Sequence, residues 1–235
     1  MERERKLRVA IVGAGASGVM ACIKLHEAGI EDVVIFEKAS DLGGTWRDNI
    51  YPGIACDVPS HLYRYSFEPN PEWSKRYAPG SEIQSYLKSV AQKYDVDRAI
   101  RYDSEIKRAV FSGGSWQLVS AKGPEGSFDV VLTATGVLHH PVYPRIEGRD
   151  DFAGPSFHSA RWHSDVSVEG KRVGIIGTGS SAVQIVSAIV EEVASISLFQ
   201  RTAQWILPEP NAPISEEKRQ EYRADPTSLQ SYYNV

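Results

Sequence analysis

Two short glycine runs, GAGASG at residues 13–18 and GTGSSA at 177–182, constrain this 235-residue chain more than any other feature. Each follows an apolar, β-branched run, LRVAIV at 7–12 and KRVGII at 171–176, and each opens a stretch of helical character. Continuous apolar runs of this length suit strands buried on both faces of a parallel sheet. In Gly13-x-Gly15-x-x-Gly18 the first glycine permits a tight turn and the second lets backbone approach a pyrophosphate. The third lets helix pack on strand, and the start of the helix then faces the phosphates with its N–H groups and dipole. Gly177-x-Gly179-x-x-Ala182 repeats the layout with alanine in the third place.

A second strand follows each helix, DVVIFEK at 32–38 and SISLFQ at 195–200. The chain is therefore expected to be α/β, with two dinucleotide-binding, Rossmann-like βαβ units. Counting from the first glycine of each motif, 37 − 13 and 201 − 177 both give 24, so Glu37 and Arg201 are equivalent positions. A carboxylate there accepts hydrogen bonds from a free adenosine ribose and repels a 2′-phosphate; an arginine attracts one. The first unit is thus expected to hold FAD and the second NADP, with Thr202 adding a hydroxyl donor beside Arg201. A chain holding both should pass hydride from NADPH to flavin.

Between these units the sequence predicts a long ordered loop at 39–80, rich in Gly, Pro, Asn and Asp and carrying Trp46, Tyr51, Tyr63 and Tyr65. A helix is expected at 81–94, opened by a Ser81/Gln84 capping box and lined on one face by Ile83, Tyr86, Leu87, Val90 and Tyr94. Strands are expected at 105–111, 115–120 and 128–135, then a connector at 136–170 and a short polar helix near 215–223. The closing SYYNV carries no stop signal of a finished domain.

A net charge of −4 argues against nucleic acid or an anionic membrane surface as the main partner, and no stretch is apolar enough for a membrane span. The apolar run after MERERK is broken by three glycines, so strand, turn and helix explain it better than a signal peptide. Cys22 and Cys56 form neither a redox pair nor a ligand set, which points to a reducing, cytoplasmic setting. No metal site is expected: His139 and His140 stand without further ligand-type residues.

Several further motifs carry a resemblance. They are Gly43-Gly44-Thr45-Trp46 continuing to Asn49, Tyr51-Pro52-Gly53 and Cys56-Asp57; LTATGVLHHPVYP at 132–144; Phe152-x-Gly154-x-x-x-His158-x-x-x-Trp162; and FQRTAQWILP at 199–208. From about residue 7 to 210 the chain resembles the class B flavoprotein monooxygenases, most closely their Baeyer–Villiger branch. Trp162 closes the third motif as in that branch, where enzymes that oxidise nitrogen or sulfur usually have tyrosine or phenylalanine; His163 departs from the usual proline or aspartate.

The resemblance implies FAD contacts at Gly13, Gly15, Ser17, Gly18, Glu37, Gly44, Thr45, Trp46, Asp57 and Tyr63, with Ile106 meeting the adenine through its backbone. It implies NADP contacts at Gly177, Thr178, Gly179, Ser180, Ser181, Ala182, Arg201 and Thr202. Asp57 is implied as the carboxylate beside the flavin, and His158, with Phe152 and Trp162, as a residue that sets the two domains against each other. The implied reaction takes a small-molecule ketone and O₂ to an ester or lactone, with no nucleic-acid or membrane partner and an oligomeric state left open.

Family members are about twice this length, so the expected organisation is an N-terminal part of an FAD domain at 1–150, a linker at 151–170 and a partial NADP domain at 171–235. Two other functions stay open on the sequence. One is an N- or S-oxidising flavin monooxygenase, and the other is a catalytically silent nucleotide-binding module.

Overall fold

The computed structural model describes residues 6–225 and 228. Residues 1–5 and the closing SYYNV lie outside the described residues. Contacts divide the chain into two units: residues up to Arg47 with Gln84–His140, and Asp48–Ile83 with the described residues from Pro141 on.

The first unit begins with β1 (Arg8–Val12), α1 (Ala16–Glu27) and β2 (Asp32–Phe36). With β3 (Ile100–Arg101) and β7 (Val130–Thr133) these strands form a parallel sheet of order β3-β2-β1-β7, in which Ala10 stands opposite Val34 and Val131. Val9, Ala10 and Ile11 are buried, as a central parallel strand covered on both faces requires. Helix α1 ends in a Schellman closure, with the N–H of Gly29 on the carbonyl of His26 and that of Ile30 on Leu25.

A separate antiparallel sheet follows, of β4 (Ile106–Ser112), β5 (Ser115–Ser120) and β6 (Gly123–Phe128). Phe128 from β6 meets Phe36 from β2 edge-on at 5.8 Å, and with Ala10 and Leu118 they make a core cluster. Here the structure departs from the sequence expectation. The run 128–135 is not one strand: the chain turns at Asp129, whose N–H bonds Arg8, and separates β6 from β7. Strand β6 reads GPEGSF, a composition with poor strand propensity that its pairing with β5 overrides.

Helix α3 (Gly80–Lys93) opens one residue earlier than expected and buries Ile83, Tyr86, Leu87 and Val90, the face its periodicity marks. The side-chain amide of Gln84 donates to Asp41 and to the carbonyl of Leu42.

In the second unit, β8 (Arg172–Ile176), α4 (Ser180–Ile189) and β9 (Ser195–Phe199) repeat the strand, turn and helix of the first. Among the described residues β8 and β9 form a two-stranded parallel sheet, and Ile176 and Phe199 are exposed. In the segment 49–79, Trp73 is fully buried. Helix α5 (Glu216–Ala224) starts on Ser215, whose hydroxyl accepts the N–H of Lys218, and is held by a bidentate Arg223–Glu72 pair with both contacts at 2.6 Å.

Candidate functional site

The first glycine turn is built by close approach. The N–H of Gly13 bonds the carbonyl of Phe36, continuing the β1–β2 ladder into the turn. Gly13 has φ +108°, and a Cβ there would lie 2.5 Å from the carbonyl oxygen of Ala134. A Cβ on Gly18 would lie 1.9 Å from the carbonyl oxygen of Gly13, so α1 can rest on the turn only if residue 18 has no side chain. Gly15 and Gly44 face each other: a Cβ on Gly44 would stand 3.1 Å from the Cα of Gly15. The loop bearing Gly43 is fixed there by its N–H on the carbonyl of Ala14. The short helix α2 (Thr45–Asp48) follows directly, carrying an exposed Thr45 and a half-buried Trp46.

Glu37 directly follows β2 and is 4% exposed. Its Oε2 accepts the N–H of Ala14 at 2.8 Å and its Oε1 the N–H of Ala39 at 2.9 Å. Arg47 places Nη1 3.0 Å from Oε1, and the same nitrogen donates to the carbonyl of Asp41. A carboxylate offers about four lone-pair positions, so three donors leave about one for a hydroxyl. That remaining acceptor position suits a ribose hydroxyl as donor. Gly13, Gly15, Gly18 and Gly44 bring strand, helix and loop backbone together at the start of α1, where a helix N-terminus offers N–H groups to an anion. Of the other positions implied for FAD, Ser17 is exposed in the first turn of α1 and Ile106 starts β4 half-buried. Asp57 and Tyr63 lie in the loop of the second unit.

The second glycine turn is open. Gly177 has φ +113°, and among the described residues a Cβ on it or on Gly179 would meet no atom within 4 Å beyond its chain neighbours. The N–H groups of Ala182 and Val183 bond the carbonyl of Gly179. Thr178 is half-buried, while Arg201 and Thr202 are exposed just past β9.

The serine hydroxyls of this motif already have protein partners. Ser180 donates to Oδ2 of Asp57 at 3.3 Å, and Ser181 to the hydroxyl of Tyr51 at 3.2 Å. Tyr51 donates in turn to Oε1 of Gln184 at 3.0 Å, and the Gln184 amide to the carbonyl of Ala55 at 2.9 Å. The structure therefore brings Asp57, Ser180 and Ser181 together.

His158 accepts the N–H of Ala160 at Nδ1, its own N–H donates to the Tyr143 hydroxyl, and its ring meets Tyr143 edge-on. Trp162 packs against the cluster of Tyr51, Ile185 and Ile189, and Phe152 is exposed.

Arg47, Tyr51 and Gln184 were not among the residues assigned a site role on the sequence. Gln184 lies one helical turn past Ser180 and Ser181 on the same face, a spacing that could have marked it. Both cysteines are free and buried, and burial pushes the Cys22 thiol up to about 11. Among the described residues no cluster of His, Cys, Asp and Glu could hold a metal, and no helix is long and apolar enough to cross a membrane.

Comparison with known proteins agrees with this geometry. Residues 6–212 match the flavin-binding monooxygenase-like family. An uncharacterised monooxygenase of Mycobacterium tuberculosis is 50% identical over 218 residues, covering 93% of this chain and 44% of the relative. A Baeyer–Villiger monooxygenase of Streptomyces coelicolor is 45% identical over 224 residues, 94% of this chain and 43% of that protein. The NADP⁺-bound crystal structure of cyclohexanone monooxygenase from Rhodococcus sp. Phi1 superposes with a TM-score of 0.86 at 35% identity, covering 96% of this chain and 44% of that one. The chain belongs to the flavin-binding monooxygenase-like family. It spans less than half the length of these relatives.

Proposed function

We propose that this chain binds FAD at the first glycine turn and NADP at the second, and forms the N-terminal part of an NADPH-dependent Baeyer–Villiger monooxygenase. The observation that carries the reading is the first turn: the glycines at 13, 18 and 44 let strand, helix and loop backbone close tightly at the start of α1, beside a buried Glu37 with acceptor capacity for a ribose hydroxyl. The relatives named above and the Trp162 ending of the signature motif support the finer choice of a ketone substrate.

FAD, when reduced by NADPH, supplies the activation of O₂. Glu37 orients the adenosine end through its ribose, and Ala14 and Ala39 hold the carboxylate still while it does so. At the second turn the helix start of α4 and Arg201 attract the phosphates, with Arg201 selecting the 2′-phosphate. Asp57 accepts the hydroxyl hydrogen of Ser180 and so holds that side chain at the helix start. FAD contacts at Gly13, Gly15, Ser17, Gly18, Glu37, Gly44, Thr45, Trp46, Asp57, Tyr63 and Ile106 remain part of this reading. So do NADP contacts at 177–182, Arg201 and Thr202.

Purification followed by an absorbance spectrum tests the proposal. The expected result is a retained yellow flavin, bleached by NADPH and not by NADH. A colourless protein that takes up no added FAD would refute it. For the finer claim, a family-length protein carrying this chain should oxygenate a cyclic ketone; turnover of a thioether alone would favour the heteroatom-oxidising alternative.

A further inference from the structure

The first two residues of α4 serve two directions at once. Their backbone N–H groups stand at the helix start, where no intrahelical carbonyl is available and a phosphate would be met. Their side chains hold the loop at 51–57. Ser181, Tyr51, Gln184 and the carbonyl of Ala55 form a one-way chain of donors at 3.2, 3.0 and 2.9 Å, and Ser180 holds Asp57 alongside. Chains of this kind polarise one another and fix a single arrangement. Packing adds to the fit. A Cβ on Gly53 would lie 2.5 Å from the carbonyl oxygen of Gln184 and 2.9 Å from the Cβ of Ala188, so the loop backbone lies flush on the helix. Tyr51, 7% exposed, and Ile54 join Ile185 and Ile189 in one apolar cluster.

We propose that Tyr51 and Gln184 are positioning residues through which a nucleotide at the second glycine turn fixes the loop 51–57, Asp57 included. The inference rests on the proposed binding of NADP at residues 177–182. A ligand that orders the backbone of Ser180 and Ser181 restricts their side chains, and through them the loop. By linkage, an ordered loop strengthens the ligand by the same factor.

The test is amide hydrogen exchange on the full chain with and without NADP⁺, together with its Kd, for the unchanged protein and for Tyr51→Phe, Gln184→Ala and Gln184→Glu. In the unchanged protein NADP⁺ should slow exchange across 53–57. Tyr51→Phe and Gln184→Ala should each abolish that slowing and weaken NADP⁺ by about three- to tenfold, the range of one hydrogen bond. The double variant should be no weaker than either single one, because both cut the same chain. Gln184→Glu keeps the acceptor for Tyr51 and loses the donor to Ala55, so it should fall between. Faster exchange in Gln184→Ala with an unchanged Kd and unchanged NADP⁺-dependent slowing would mark a merely structural contact and overturn the proposal. Failure of the unchanged protein to bind NADP⁺ is a different result, and it would refute the nucleotide reading itself.

Discussion

The two glycine turns share a layout and differ in how much protein surrounds them. At the first, a Cβ on Gly13 or Gly18 would collide with backbone at 2.5 or 1.9 Å; at the second, Gly177 and Gly179 face open space. The strands behind them differ the same way: Val9, Ala10 and Ile11 of β1 are buried, whereas in β8 Ile176 is 61% exposed. The chain's own backbone thus packs the first turn, and no described residue packs the glycines of the second.

Alanine substitution should break the comparison most clearly. Gly18→Ala forces its Cβ into the carbonyl of Gly13, an atom of backbone that cannot swing aside. We expect a loss on the order of 4 kcal/mol, at the exceptional end of single-residue effects. Gly179 has φ −72° and free space, so Gly179→Ala should change stability by less than about 0.5 kcal/mol while weakening NADP⁺. Denaturant unfolding of the two variants checks the pair; equal losses would mean that the turns are packed alike.

The strand tips sharpen the contrast. Glu37 is buried and receives an arginine, while its counterpart Arg201 is exposed. Arg47→Met leaves a buried carboxylate with two backbone donors and no opposing charge, a change that typically costs about 3 to 5 kcal/mol. The pair is 14% and 5% exposed, so solvent can replace little of what Arg47 provides. The same variant should bind FAD more weakly, because Glu37 would lose one of the groups that fix it. Arg201→Met, measured alongside, should leave stability within about 0.5 kcal/mol and reduce the preference for NADP⁺ over NAD⁺. A stable Arg47→Met protein would show that the Glu37 carboxylate is held by Ala14 and Ala39 alone.

Most of the fold was legible because its signals are local. Glycine spacing, β-branched runs and the apolar face of α3 each lie within a short window, and each corresponds to an element in the structure. Strand β6 was missed because GPEGSF has no local strand signal; its pairing with β5 creates the strand. The residues around the two turns divide on the same line. Glu37 could be found by counting from Gly13. Arg47 could not, since a charged residue after Trp46 reads as solvated until the turn folds over it. Ser180 and Ser181 were expected to face phosphate, and their bonds to Asp57 and Tyr51 join residues 123 and 130 positions away, beyond any window. Site residues set by tertiary approach stay hidden where those set by spacing do not.

The second unit also carries a pH dependence that rests on a buried histidine. His61 is buried, its ring 4.5 Å from that of Tyr222 on α5. Burial first, then the nearby Arg64, with Lys218 adding a smaller share, pushes it down to about 4, against a weaker opposing bond to the Asn70 carbonyl. A histidine with a depressed value in the folded state stays neutral there while the unfolded chain takes up a proton. Its contribution is therefore complete above about pH 6.5, falls as the pH drops, and is lost by about pH 4. The shift corresponds to at most about 3 kcal/mol. His61→Phe keeps a ring against Tyr222 and removes the titration, so the difference in unfolding free energy between wild type and variant should narrow or reverse between pH 7 and pH 4.5. Glu72, held below its usual range by Arg223, also loses its bond in acid, but it does so in both proteins and cancels from the difference. If the difference stayed constant across that range, His61 would not be the titrating group, and the acid sensitivity of α5 docking would rest on the Glu72–Arg223 pair.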